Sequence, residues 1–155
     1  MADEQQGAEA HIENSERITD IFGCWPSFHD AEIINLHLWR GDVDPERNTW
    51  IFPVLTLEID HWEMTNEVDG EGFLCIRNRT HSTLEFRDVH AIEMNGFNQT
   101  NAIMELQIER VERSTPPSPR FLVRIPAAWG MHATFECLAI KVLQSLPLPS
   151  QMDRQ

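Results

Sequence analysis

The first apolar periodicity along the chain is that of one short helix. Ile18, Ile21 and Phe22 recur at the three- and four-residue spacing of a single helical face. Asn14 precedes them as a candidate N-cap, and Gly23 follows at the position where a left-handed residue commonly ends a helix. The pattern therefore predicts one helix between Asn14 and Gly23.

After the helix the period changes to two, which is the spacing of β-strands. Strands are predicted around residues 32–40, 55–60, 84–86, 104–109, 121–125 and 133–143. The segment 104–109 alternates most cleanly between apolar and acidic or amide side chains. The segment 133–143 is apolar on both faces in its second half, which predicts one continuous, covered strand. Turn residues separate the strands without intervening helices, so an antiparallel meander is expected.

The predicted fold class is mostly β (α+β). A single antiparallel curved sheet, or an open barrel or sandwich, with one N-terminal helix against it would bury each strand's apolar face. The length of 155 residues suits one domain. We expect residues 1–11 to be a disordered tail, residues 12–146 to be the domain, and residues 147–155 to be a frayed tail.

Composition places the chain among globular proteins, with 41% hydrophobic and 24% charged residues. No apolar run approaches the ~20 residues of a membrane helix. The acidic N-terminus is unlike a secretory signal, so we expect a cytoplasmic protein without membrane contact. The cysteines Cys24, Cys75 and Cys137 are odd in number and widely spaced, which predicts buried free thiols and no zinc or redox centre.

The charge is strongly negative and unevenly distributed. Twelve basic and 25 acidic residues give −13, and residues 42–72 carry nine acids and one Arg. Such a surface repels phosphates, so no nucleic acid partner is expected, whereas a basic protein would be attracted. The alternative is that the charge only maintains solubility.

No catalytic arrangement is recognisable in the sequence. Ser27, His29 and Asp30 lie too close together in an extended segment to form a triad. His29, Asp30 and Glu32 would need a metal ligand from elsewhere, and the seven histidines form no HxH or HExxH pattern. We therefore expect no catalysis, metal or cofactor. A metal-dependent enzyme using these three residues and a small-ligand-binding β domain stay open as alternatives.

One acidic stretch, residues 60–71, combines Trp62 and Met64 with five carboxylates. An apolar anchor inside a charged ring is typical of a protein-binding patch. The predicted partner-binding residues are Trp62, Glu63, Glu67, Asp69 and Glu71. The alternative is a solvated hairpin end in which Trp62 covers the sheet.

Three strings resemble the immunity protein 50 family, which comprises predicted antidotes of bacterial polymorphic toxin systems. They lie at residues 21–32, 96–101 and 135–137, in the order and spacing of that family. Cys24 stands where an aromatic residue is expected, and Thr100 precedes Asn101 in a loose version of the second motif. The matching motif residues are Trp25, Pro26, Phe28, His29, Asp30, Glu32, Gly96, Phe97, Asn98 and Asn101.

The resemblance implies a small cytoplasmic bacterial protein that neutralises a cognate toxin by binding it. The negative charge adds the hypothesis that the toxin is basic and is a nuclease domain. For the first motif we expect a structural role, with Trp25 and Phe28 packing where the helix meets the first strand and Asp30 accepting backbone hydrogen bonds there. The sequence does not indicate the oligomeric state.

Overall fold

The computed structural model describes residues 7–149. The predicted tails therefore fall largely outside the described residues, although Ala8–His11 forms a 3-10 turn. One helix follows, α1 at Glu16–Phe22. The strands are β1 Glu32–Trp39, β2 Asp42–Asp44, β3 Thr49–Ile51, β4 Val54–Val68, β5 Leu74–Arg87, β6 His90–Asn95, β7 Ala102–Ile103, β8 Gln107–Val111, β9 Arg120–Ile125, β10 Ala127–Trp129, β11 His132–Cys137 and β12 Ala139–Pro147.

The predicted helix is confirmed, with a start one residue later than expected. Ser15 is the N-cap and makes no side-chain capping bond, so Asn14 is not the cap. Ile18 and Phe22 are buried on one face, and Gly23 ends the helix at φ 80°, a conformation that costs glycine little. Within residues 7–149, no helix is long and apolar enough to cross a membrane.

The prediction of a mostly β, antiparallel fold is confirmed, but a single sheet is wrong. A six-stranded sheet has the order β10-β7-β1-β4-β5-β12, a four-stranded sheet has the order β6-β11-β9-β8, and β2 pairs with β3. The two larger sheets share one core, because Phe86 of β5 meets Phe135 of β11 edge to face with 5.0 Å between ring centroids.

The expected continuous strand at 133–143 is two strands. The chain leaves the four-stranded sheet after Cys137 and enters the six-stranded sheet at Ala139. At the crossing, the Leu138 amide donates to the Arg87 carbonyl at 2.9 Å. Both halves are apolar because each faces the core between the sheets, so the apolar run did not reveal the break.

The expected strand at 104–109 begins only at Gln107. Met104 and Leu106 lie on the crossing between the sheets, where their amides bond the carbonyls of Pro126 and Ser27. Met104 is exposed, so the alternating pattern there does not reflect one buried strand face.

The centre of the six-stranded sheet is the long β4–β5 hairpin, which extends past its neighbours. β1 pairs with β4 no further than Glu32–Asp60, and β12 pairs with β5 no further than Pro147–Thr80. Beyond these pairs, we call residues 61–79 the tip hairpin. At the opposite end, β2 and β3 continue the β1–β4 register past a bend, and we call residues 40–53 the β2–β3 arm.

Candidate partner-binding surface

The turn of the tip hairpin is built around Asp69. Its Oδ1 accepts the amide of Glu71 at 2.8 Å and the amide of Phe73 at 3.0 Å, and its own amide donates to the Phe73 carbonyl. Asp69 therefore lies in the predicted stretch but also holds the turn. Glu67 and Glu71 are exposed beside it.

Large apolar side chains share this surface with the carboxylates. Phe73 is 67% exposed, and Met64, Val68 and Leu74 are each more than half exposed. Exposed apolar side chains clustered inside a charged rim are typical of interaction sites. Val68, Phe73 and Leu74 were not among the predicted partner-binding residues. The glycine-rich segment 70–72 between two apolar runs is the turn signal that could have indicated them.

Glu63 is an ion-paired carboxylate. Its Oε2 accepts a hydrogen bond from Arg77 Nε at 2.7 Å and from Asn78 Nδ2 at 3.1 Å. Arg77 lies directly opposite in the β4–β5 ladder, so the pair bridges the two strands. The arginine balances the charge of Glu63, which makes Glu63 a weaker source of attraction than Glu67 or Glu71.

Trp62 is half-buried at the base of the tip hairpin. It lines a pocket of about 420 Å³ in which the hairpin meets the first motif. The other lining residues are Phe22, Cys24, Pro26, Ser27, Phe28, His29, Glu63, Met64 and Arg77. The structure thus brings two predicted sites together, although they are more than thirty residues apart along the chain.

The first motif packs as expected at the exit of the helix. Phe28 is buried, with its ring centroid 5.5 Å from that of Trp25 and 4.7 Å from that of His61. Trp25 and Pro26 are half-buried beside it. Phe28 and Asp30 adopt positive φ angles of 62° and 63°, which are uncommon for Phe and better tolerated by Asp, and these angles turn the chain sharply into β1.

Asp30 contributes through its backbone, which differs from the expected role of its carboxylate. Its amide donates to the Ile103 carbonyl at 3.0 Å, while its Oδ2 lies 3.4 Å from His29 Nε2. His29 Nδ1 lies 2.8 Å from the Met104 carbonyl. Glu32 begins β1, opposite Ala102. These contacts place the first motif against β7.

The second motif is a loop closed by Asn101. Asn101 Oδ1 accepts the amides of Asn98 at 2.8 Å and Met131 at 3.2 Å, and its Nδ2 donates to the Asn98 carbonyl. Gly96 has φ 79°, and a Cβ there would lie 2.5 Å from the Gly130 carbonyl oxygen, so this position requires glycine. Phe97 is exposed on the loop.

Two histidines near the base of the tip hairpin have opposite pKa shifts. His61 is buried, and burial together with the charge of nearby His81 lowers its pKa to about 4. Burial opposes the charging of His81, but hydrogen bonds to Asp60 at 2.5 Å and Glu58 at 3.2 Å raise its pKa. A hydrogen bond from Asn35 and then the bond to His81 lower the pKa of Glu58.

His29, Asp30 and Glu32 are not part of a metal-ligand cluster in the described part of the chain. Among residues 7–149, no group of three or more His, Cys, Asp or Glu side chains is placed to hold a metal ion. The three cysteines are free thiols, but the expectation that they are buried holds only for Cys137, since Cys24 is exposed and Cys75 is half-buried. Burial raises the pKa of the Cys137 thiol to about 12, and the charge of Asp88 adds to this shift, so the thiolate that would be reactive is suppressed.

Comparison with known proteins agrees with the motifs. A family model described as immunity protein 50 matches residues 14–148, a range that includes both motif loops and the tip hairpin. No curated protein and no solved structure matches the chain. The chain therefore belongs to the immunity protein 50 family, and this membership implies an immunity protein of a polymorphic toxin system.

Proposed function

We propose that the protein neutralises its cognate toxin by binding it through the tip hairpin, without catalysis. The observation that carries this proposal is the projection of the hairpin past the ends of β1 and β12. Residues 62–68 extend roughly 20 Å at about 3.3 Å per residue. A narrow, two-stranded projection of this length suits insertion into the cleft of an enzyme.

Charge supports a basic toxin, and a nuclease domain is the chemistry we propose. Between residues 60 and 76 the chain has five acids and no Lys or Arg. A nuclease presents Lys and Arg to bind phosphates, so an acidic hairpin competes for that site. Attraction of this kind mainly raises the association rate and weakens with salt.

The five predicted residues divide by role within this proposal. Glu67 and Glu71 provide negative charge at the tip that forms no ion pair among residues 7–149, while Asp69 adds charge and holds the turn. Glu63 ties the strands together through Arg77. Trp62 contacts the partner at the base of the hairpin. Phe73, Met64 and Val68 join it as the desolvated centre, where truncating one large side chain costs upwards of ~2 kcal/mol.

The test measures association and dissociation with the cognate toxin domain over a range of salt concentrations. Glu67→Gln with Glu71→Gln should slow association and flatten its salt dependence. A matched control, Glu93→Gln with Glu112→Gln, removes two exposed carboxylates on and next to the four-stranded sheet and should change little. Phe73→Ala and Trp62→Ala should speed dissociation about thirtyfold or more. Wild-type rates for all the hairpin variants would exclude this surface.

A second candidate function is the binding of a small apolar molecule. The pocket beside Trp62 and His29 has a volume of about 420 Å³, within the range of small-molecule sites. Native mass spectrometry of the protein purified from its source would detect a bound molecule, which Trp62→Ala should release. If only the free protein mass is found and toxin binding is intact, this candidate fails.

A further inference from the structure

The β2–β3 arm and its base carry an exposed apolar group that the toxin-binding proposal does not use. Trp50 is 67% exposed, which is as open as Phe73 at the other end of the molecule. The exposed apolar side chains of the arm and its base are Leu38, Trp39, Val43, Trp50, Ile51 and Phe52. Two tryptophans and a phenylalanine in one short segment far exceed the scattered single apolar residues that are normal on a surface.

The arm also has unpaired strand edges. Within the described part of the chain, β2 and β3 pair only with each other. The arm turns away at Gly41, which has φ 86° and packs so closely on the Ile51 carbonyl that a Cβ would collide with it. Proteins protect exposed edges with charge or proline. β2 carries Asp42 and Asp44, whereas β3, Thr49–Ile51, carries no charge.

We propose that the arm is a homodimer interface in which β3 of one copy pairs with β3 of a second copy. Two identical strands that pair antiparallel are related by a two-fold axis, so the contact closes on itself. Trp50 of each copy, with Val43 directly opposite it in the arm, forms the apolar centre on one face of the joined strands, and Ile51 adds apolar contact on the other face. This interface does not involve the tip hairpin and does not depend on the toxin's chemistry.

Charge favours a second copy as the occupant of the arm. Residues 38–53 carry three acids and two Arg, and Asp44 pairs with Arg47 at 3.8 Å, whereas residues 54–72 carry six acids and no base. Two molecules of charge −13 repel each other least through a nearly neutral surface. A basic partner is attracted instead to the tip hairpin, at the opposite, acidic end of β4.

The exposed area also fits a dimer. Large aromatic side chains offer about 150–250 Å² each, so the aromatic and aliphatic side chains of the arm and its base, which are 38–67% exposed, present on the order of 500 Å² of apolar surface. A standard interface buries about 800 Å² per partner, and homodimer interfaces are about 65% apolar. The arm therefore supplies the apolar share that one such interface needs.

The test is the mass of the full chain in solution, by sedimentation velocity and light scattering over a wide concentration range. We expect a species of twice the 18.0 kDa chain mass at the upper concentrations. Trp50→Asp should raise the dimer dissociation constant at least tenfold. Trp129→Asp is the matched control, because Trp129 is 66% exposed on the edge strand β10, and it should leave the dimer unchanged.

Two further results keep the outcome unambiguous. Trp50→Phe should retain the dimer, and the circular dichroism of Trp50→Asp should match that of the wild type, since the arm lies outside the core. A wild-type chain that is monomeric at every concentration overturns the proposal. A dimer that Trp50→Asp leaves intact also overturns it. The same holds if the wild type is monomeric and Trp50→Asp abolishes toxin binding.

Discussion

Phe28 shows how one residue links the first motif to the core. Its side chain is 2% exposed between Trp25 and His61, and its backbone adopts φ 62°. A positive φ costs a non-glycine residue on the order of 1–3 kcal/mol, so it persists only where packing holds it. Here the buried aromatic cluster holds the turn that directs the chain into β1.

Phe28→Ala should lower the free energy of unfolding by about 3–5 kcal/mol, as for other buried aromatic residues. Trp25→Ala should cost less, because Trp25 is only half-buried. Urea denaturation of both variants measures the difference. A Trp25→Ala protein with wild-type stability but without toxin binding would contradict the structural role of this motif.

The pKa of His61 predicts a loss of stability in mild acid. Its folded pKa of about 4 lies below the ordinary 6.5, so the unfolded chain takes up the proton first as pH falls from about 6.5 towards 4. From pH 7.5 to pH 5 this lowers the free energy of unfolding by about 2 kcal/mol. His61→Leu should lose this part of the pH dependence when urea unfolding is compared at the two values.

The pKa of His81 is shifted in the opposite direction, so His81 should affect the pH dependence of stability with the opposite sign. Its folded pKa is raised, so its stabilising contribution is complete below the unfolded pKa and is lost as pH rises through the folded one. Because the His81 charge also contributes to the low pKa of His61, the comparison is made without His61: the double variant His61→Leu with His81→Gln should lose more stability in acid than His61→Leu alone. An identical pH dependence in wild type, His61→Leu and the double variant would show that neither histidine is linked to folding.

At the scale of elements, the tip hairpin depends on its turn because, among residues 7–149, strand pairing with β1 stops at Asp60 and strand pairing with β12 stops at Thr80. The Asp69 carboxylate accepts hydrogen bonds from the amides of Glu71 and Phe73. Gly72, which lies between these two residues, adopts φ 90°. A short two-stranded hairpin is marginally stable in water without further packing. Local contacts at the turn therefore decide how well the tip is ordered before it meets a partner.

Asp69→Ala should loosen the tip without unfolding the protein. Losing the acceptor costs about 1 kcal/mol locally, which corresponds to roughly fivefold faster hydrogen exchange at the Glu71 and Phe73 amides. Asp69→Asn keeps an oxygen acceptor and removes only the charge, so it should leave exchange near the wild-type rate. Equal exchange in the Ala and wild-type proteins would show that the turn holds without this carboxylate.

The strands were predictable in kind but only partly in extent. β5 was expected near Leu84 and Phe86, but it begins at Leu74. Its first half was not predicted because that half is largely exposed to solvent and lacks the alternating apolar pattern. The break at Leu138 was missed because the segments on both sides face the same core. Local periodicity reports which face is buried, and it does not report which sheet buries it.

At the scale of the whole molecule, the two ends of β4 differ in charge and therefore in the partners they suit. The tip is acidic and apolar, and the arm is nearly neutral and apolar. If both proposals hold, a dimer joined through its arms presents two toxin-binding tips that point away from each other. Toxin binding and dimer formation should then be independent, with one toxin domain bound per chain.

Removal of metal ions should not change the thermal stability of the fold. A ligand that binds only the folded state stabilises it, so removing a resident metal must lower the thermal midpoint. We expect chelation to leave the midpoint unchanged in a thermal melt followed by circular dichroism. A decrease of more than a few degrees would reveal a metal site and would reopen the enzyme alternative that uses His29, Asp30 and Glu32.

The sequence by itself determined the helix, the antiparallel β class, the family and the concentration of acids in residues 42–72. These properties are local, because periodicity, turn residues, motif strings and charge counts are read along adjacent positions. Only the tertiary structure decided that Glu63 is paired with Arg77, that Trp62 faces the first motif, and that the β4–β5 hairpin outruns its neighbours. Those facts depend on which distant strands pair and where their pairing stops, and contacts between distant residues leave no periodic trace in the chain.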